Sequence, residues 1–250
     1  MGGDESFLPG SEGTVGRDIP FQRPAGIVGE SKGRVVGKYP DQKLVVKFPK
    51  KETVPVDIEL TRREDEVLRR WEDEFSKAVV ERGGDRNVVV PERIVIGGTG
   101  KKDARVYRVQ KLVEDAVLLG KLGTGRLLNL PDKTLVGLRS IFLSTIDLWR
   151  KDGVVADVVG SVPRETSLAN KIVRHMFPLF TSTSITVDSN GDDLRFIDLG
   201  RTDLKNAPLK IRLRSHIDLI GSVVSVGVLD AILVLRNLFG KSDIKPRVLE

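Results

Sequence analysis

Apolar residues fall first into short runs and then into helical spacing. From Ile27 the runs GIVGE, GRVVGKYP and KLVVKFP, separated by turn-forming stretches such as Pro40-Asp41, predict a small antiparallel sheet. The period then changes. Between Leu60 and Arg82, Val67, Leu68, Trp71, Phe75, Ala78 and Val79 share one face at steps of three and four, which predicts a helix. Thr61 with Glu64 three residues on predicts a capping box at its start, and Gly83-Gly84 its end. Two β-branched runs, Val88 to Gly98 and Ala104 to Val113, predict further strands. Beyond Val113 the spacing is helical at EDAVLLGKL, at TLVGLRSIFLSTIDLWRKDG and around LANKIVRHMFPLF. A hairpin interrupts these helices, with SITV and LRFI as arms around Asp188 to Asp193. Ile217 to Gly240 is the most apolar stretch and approaches membrane length. Asp218, Asp230 and Arg236 interrupt it, so a buried helix pair is expected and not a membrane span. Residues 1–24, rich in Gly, Pro, Ser and acids without apolar periodicity, predict a flexible tail.

Composition narrows the chemistry. With 250 residues, 40% of them hydrophobic, the chain can bury a full core as one large domain or two small lobes. Cysteine is absent, so disulfides and thiolate metal sites are excluded, and a metal would need oxygen ligands or the two histidines. The start, MGGDESFLPG, lacks the pattern of a secretory signal, and a cytoplasmic location is expected. The net charge of +6 comes from 41 basic and 35 acidic residues that interleave along the chain, a solvated mixed surface that does not favour a nucleic-acid partner.

A β-rich first part with one helix, then a helical part interrupted by a hairpin ending in Asp198-Leu-Gly200, resembles the protein-kinase-like phosphotransferases. The similarity runs over about residues 25–240 and is greatest to small, divergent bacterial kinase-like proteins. The resemblance implies a two-lobed α+β fold, with a β-rich N-lobe over 25–112, a mainly helical C-lobe over 113–250, and ATP and Mg2+ as cofactors. Lys43-Leu-Val-Val-Lys47-Phe48 resembles the strand whose lysine sets an ammonium against the nucleotide phosphates; taken alone, Lys47 also reads as a solvated strand residue. At about 100° per residue, Glu64 falls at the centre of the helix's apolar face, Glu72 and Glu74 at its edges, and Glu66 opposite. Glu64 is thus either the partner of Lys47 or a helix cap. Gly29-Glu-Ser-Lys-Gly33 resembles a shortened glycine-rich phosphate loop without its middle glycine, and an ordinary hairpin explains the same glycines. Val106 to Val113 would be the fifth strand and connector, its backbone at Gln110 and Leu112 pairing with adenine.

The run from Ser184 to Gly200 resembles the kinase stretch that leads through two strands to Asp-Phe-Gly, and it implies Asp198 as a magnesium ligand. Without the resemblance, Asp198 is an acid leaving a hairpin. Ser184 stands where the family has Asn, and its hydroxyl would contact the metal or its water. His-Arg-Asp is absent, since neither His175 nor His216 precedes an Arg-Asp pair, and Asp157 is the substitute as catalytic base or else a turn residue. It stands 41 residues before Asp198, which makes Arg164 to Phe180 an inserted element. Lys210-Ile-Arg212-Leu-Arg214 occupies the place of the acceptor, either holding an acidic or phosphorylated substrate or forming an exposed face. The expected activity is ATP-dependent transfer of the γ-phosphate to a hydroxyl acceptor of unknown kind. The alternative is a pseudokinase serving as a nucleotide-binding switch or scaffold. The expected partner is a nucleotide, with neither membrane nor nucleic acid.

Overall fold

The computed structural model of the chain describes residues 26–30, 34–39, 43–49, 57–97, 105–160 and 166–239. The expected tail over 1–24 and Gly33 lie outside them. The chain is α+β and divides into two compact units, one of residues 1–70 and 91–112, the other of 71–90 and 113–250.

In the first unit β1 (Gly26–Glu30), β2 (Arg34–Tyr39) and β3 (Leu44–Pro49) form successive antiparallel pairs, as the three β-rich runs predict. Helix α1 (Ile58–Glu81) follows, then β4 (Glu92–Gly97) and β5 (Arg105–Lys111), and the sheet order is β1-β2-β3-β5-β4. Strand alternation gives the sheet an apolar face on which Leu44, Val46 and Val109 are buried, with Val95 and Tyr107 against them. The capping box at Thr61 and Glu64 does not form. The cap lies four residues earlier, at Asp57: its carboxylate accepts from the Leu60 N–H (3.0 Å), and its carbonyl accepts from the Thr61 hydroxyl (2.7 Å). Asp65 ties the first half of α1 to β4 by accepting from the Ile94 N–H (2.8 Å).

The second half of α1 belongs to the other unit, where Trp71, Phe75 and Val79 are buried. A short 3-10 turn at Arg86–Val88 follows the helix. The expected helix at EDAVLLGKL is instead a turn through Asp115 (φ +52°), the strand β6 (Val117–Leu118) and a 3-10 turn at Leu119–Lys121. Close packing decides this. Gly120 donates its N–H to the Ser182 carbonyl (2.8 Å), and a Cβ there would lie 2.7 Å from the Thr181 carbonyl carbon. Helices α2 (Thr124–Leu128) and α3 (Asp132–Asp152) come next, then β7 (Val154–Ala156), α4 (Leu168–Met176) and α5 (Pro178–Thr181). The predicted hairpin is β8 (Ile185–Val187) and β9 (Leu194–Phe196), with β6 on the free side of β8. Strand β10 (Arg201–Asp203) pairs with β7. Buried Leu135, Leu138, Ile141 and Phe142 of α3 join the core of α1 and the hairpin. There Phe75 meets Phe196 edge-on, with centroids 5.4 Å apart.

The C-terminal apolar stretch is one helix, α6 (Leu209–Leu238), and not a pair. By length and composition it could cross a membrane. The charges that interrupt it have protein partners instead. Asp218 pairs with buried His175, Asp230 with Arg139 of α3, and Arg236 with Asp132 (2.6 Å) and the Leu130 carbonyl (2.7 Å). Gly221 lets α4 and α5 approach, because a Cβ there would lie 2.1 Å from the His175 carbonyl oxygen.

Candidate functional site

In the first unit the face of the sheet opposite its apolar core carries charge. The register sets Lys47 opposite Arg108 and Ile94 opposite Arg108, so Glu92, two residues from Ile94, shares their face. Glu92 is buried and binds both cations, forming an ion pair with Lys47 and accepting from Arg108 Nη1 at 3.0 Å. Glu64, the expected partner of Lys47, is exposed. The apolar face of α1 is rotated from the expected centre: Val67 is 41% exposed, while Thr61 and Glu72 are buried with Trp71, Phe75 and Val79. Glu72, expected at the edge, is the buried carboxylate of the helix. The N–H of Leu112, expected to lie against adenine, donates to the Lys43 carbonyl (2.7 Å). Gln110 lies in the interior strand between Val45 and Glu92, its backbone enclosed by the sheet. Gly29 sits beside an irregularity in the β1–β2 register.

In the second unit the sequence-predicted acids converge. Pairing of β7 with β10 continues past the strand end, where the Asp157 N–H donates to the Gly200 carbonyl (3.0 Å). Asp198 has φ +57°, and the Gly200 N–H turns back to its carbonyl (2.8 Å). A non-glycine residue in this region is uncommon, and such strain persists where the surroundings fix it. A Cβ on Gly200 would lie 3.3 Å from the Asp157 Cβ, so this glycine lets the two loops touch. The Asp157 carboxylate accepts from the Gly160 N–H (2.9 Å) and from Arg214 of α6 (3.3 Å). Burial pushes its carboxyl above the ordinary value, against the pull of Arg214 and the Gly160 N–H, and the acids Asp218 and Asp198 add to the rise.

Ser184 meets the same loop from the hairpin side. Its carbonyl accepts from the Ile197 N–H (2.7 Å), while its hydroxyl is buried and has no hydrogen-bond partner. Gly160, at φ +76°, faces it: a Cβ there would lie 2.3 Å from Ser184 Oγ and 2.5 Å from Thr183 Oγ1. The neighbouring Ser182 hydroxyl donates to the Val158 carbonyl (2.6 Å) and pins the two loops together. Among the described residues no three His, Cys, Asp or Glu side chains are grouped to hold a metal. The oxygen donors on these neighbouring loops are the Asp157 and Asp198 carboxyls and the Ser184 hydroxyl, and magnesium takes hard oxygen ligands of that kind, usually one or two carboxylates with water and phosphate.

The roles of four residues are not evident from sequence motifs. Glu92 has a signal in the alternation Glu92, Ile94, Ile96, which puts it in phase with the strand face of Lys47. Arg214 has a weaker one, as a cation in a basic run. The buried pair of His175 and Asp218, from two elements 43 residues apart, has none.

No protein-family model matches the sequence, and no curated protein matches it. Among solved structures the chain is similar to the kinase domain of maize sucrose-induced receptor kinase 1, crystallised with AMP-PNP, at 15% identity and a TM-score of 0.34. The match covers 82% of this chain and 57% of that one, so the chain spans little more than half of the solved structure's length. At that identity and TM-score the likeness decides neither fold nor ligand.

Proposed function

We propose that the chain is a protein-kinase-like phosphotransferase that binds ATP with magnesium and passes the γ-phosphate to a hydroxyl acceptor. The observation that carries this reading is the meeting of the Asp157 loop with Asp198-Leu-Gly200 at the ends of β7 and β10. One carboxyl there is shifted upward by burial, as suits a general base, and the other is held in a left-handed backbone turn beside it. In this reading Asp198, with the Ser184 hydroxyl, holds magnesium, which neutralises charge on the transferred phosphoryl group. Asp157 orients the acceptor hydroxyl and takes its proton, and Arg214 keeps the carboxylate aimed until the acceptor replaces it. Within the first unit Glu92 holds Lys47, the residue whose counterpart in the resembled family sets a cation against the phosphates.

A second reading has its own observation. Ser184 replaces an amide ligand, and Asp157 is already engaged by Arg214 and Gly160. Both suit a pseudokinase that binds nucleotide as a switch or scaffold without transferring phosphate.

Thermal melting with and without ATP and magnesium tests the first step, because a ligand at a hundredfold excess over Kd stabilises by about 2.7 kcal/mol. The shift is expected to vanish in Asp198→Ala and to shrink in Lys47→Ala. No shift in the unmutated protein sinks the phosphotransferase and the nucleotide-switch readings and leaves a protein scaffold. Incubation with γ-labelled ATP and candidate acceptors then separates them, since only the phosphotransferase moves label.

A further inference from the structure

We propose that the surface formed by α4 and α6 docks on an anionic lipid bilayer. The proposal draws on no step of the phosphotransfer reading. Helix α4 packs against α6, and both present large apolar side chains to solvent. Leu168 and Val173 of α4 and Phe177 just past its end are exposed, as are Leu209 and Leu213 of α6, with Leu168 at 75% and Leu209 at 66%. At about 100° per residue, Leu209, Leu213, Ile220, Val223, Val234 and Leu238 fall within about 80° of one another. They form one exposed row along the whole of α6.

Charge is distributed around this row in a particular way. Lys210 and Arg212 stand on its two sides, and α4 carries Lys171 and Arg174, while Arg214 is held by Asp157 (3.3 Å). Neither α4 nor Leu209 to Ile217 contains an acidic residue. Asp218 and Asp230, further along, are taken by His175 and Arg139.

Charge complementarity selects the occupant. A second copy docked through this end would set cations against cations, so a homodimer is disfavoured. Apolar side chains that stand out from the surface, with Leu168 at 75% and Leu209 at 66% exposure, suit insertion between lipid headgroups. Cations on both flanks then reach lipid phosphates and carboxylates while their stems lie on the acyl boundary.

The test is co-sedimentation of the full chain with vesicles of phosphatidylcholine alone and with phosphatidylserine added, at low and at high salt. Binding is expected to the anionic vesicles, weaker at high salt. Neutralising two cations in Lys210→Gln/Arg212→Gln is expected to lower partitioning roughly thirtyfold, at about 1 kcal/mol for each cation. Leu209→Ser/Leu213→Ser is expected to lower it at both salt concentrations. These side chains are exposed, so an unchanged circular dichroism spectrum checks that each variant folds. The proposal is overturned if the unmutated chain does not bind anionic vesicles, if it binds neutral ones equally, or if both variants bind as it does. Binding to polyglutamate with none to vesicles overturns it in favour of an acidic protein partner. A dimer in sedimentation that Leu209→Ser/Leu213→Ser dissociates, again without vesicle binding, overturns it in favour of a second copy.

Discussion

Asp157, half-buried, is held between surroundings that disfavour its charge and an arginine that favours it, and desolvation has the larger effect. A carboxyl whose folded value lies above its unfolded one contributes its full share of stability below the unfolded value. That share is lost as pH rises through the raised value. Asp157→Asn removes the titration, so its melting temperature relative to the unmutated protein should rise between acid and neutral pH. A constant difference across that range would show that the carboxylate ionises without cost. Two neighbours sharpen the picture. Gly160→Ala would add a Cβ 2.3 Å from Ser184 Oγ at φ +76°, and should cost about 1–3 kcal/mol in chemical denaturation. Ser184→Ala removes a buried hydroxyl without a partner, so it should be neutral or stabilising by about 1 kcal/mol while shrinking the shift that ATP and magnesium cause. If Ser184→Ala instead destabilises and leaves that shift intact, the hydroxyl is structural. Asp198-Leu-Gly200 is legible in the sequence because an acid, a turn glycine and two flanking strands are adjacent in it. The approach of Gly160 to Ser184 and of Arg214 to Asp157 is made across the fold, and a sequence shows no such contacts.

Among the elements, strands were easier to read than helix ends. The β-branched runs give β1 to β5 and the hairpin of β8 and β9, since alternation needs only neighbours. The start of α1 was missed because Asp57 and Thr61 are both good caps, and only the fold decides which is used. For α6 the sequence suggests a break, and the structure spans it by pairing each interrupting charge. Two glycines on α6 make the difference testable. Gly221 faces the His175 carbonyl at a distance no Cβ tolerates, whereas a Cβ at Gly227 meets nothing within 4 Å. Gly221→Ala should therefore destabilise by about 1–3 kcal/mol or more, through overpacking of α4 and α5 on α6. Gly227→Ala should stabilise by up to about 1 kcal/mol through helix propensity alone. Urea denaturation of the two variants should show opposite signs on one helix. Two losses of similar size would mean that α6 is not continuous at Gly227.

At the scale of the molecule, the two units are unequal in what holds them together. Among the described residues the first has a core of Leu44, Val46 and Val109, with Val95 and Tyr107 against it. The second has a core that runs from Trp71 through α3 and the β8–β9 hairpin to Ile232 of α6. The helix α1 divides between them because its large side chains, Trp71, Phe75 and Val79, lie in its second half and enter the larger core. Apolar burial contributes roughly 25 cal/mol per Å2, so the smaller core supports less stability, and its amides should open at lower free energy. Hydrogen exchange should then show β2, β3 and β5 exchanging before α3 and β8. Phe142→Ala, which empties a site in the larger core, should lower protection of the second unit by about 3–5 kcal/mol. Val46→Ala acts in the small core and should speed exchange in β2, β3 and β5 while leaving α3 unchanged. Should Val46→Ala lower protection of α3 by the same amount as that of β3, the two units unfold as one cooperative body, and a single unfolding free energy describes the chain.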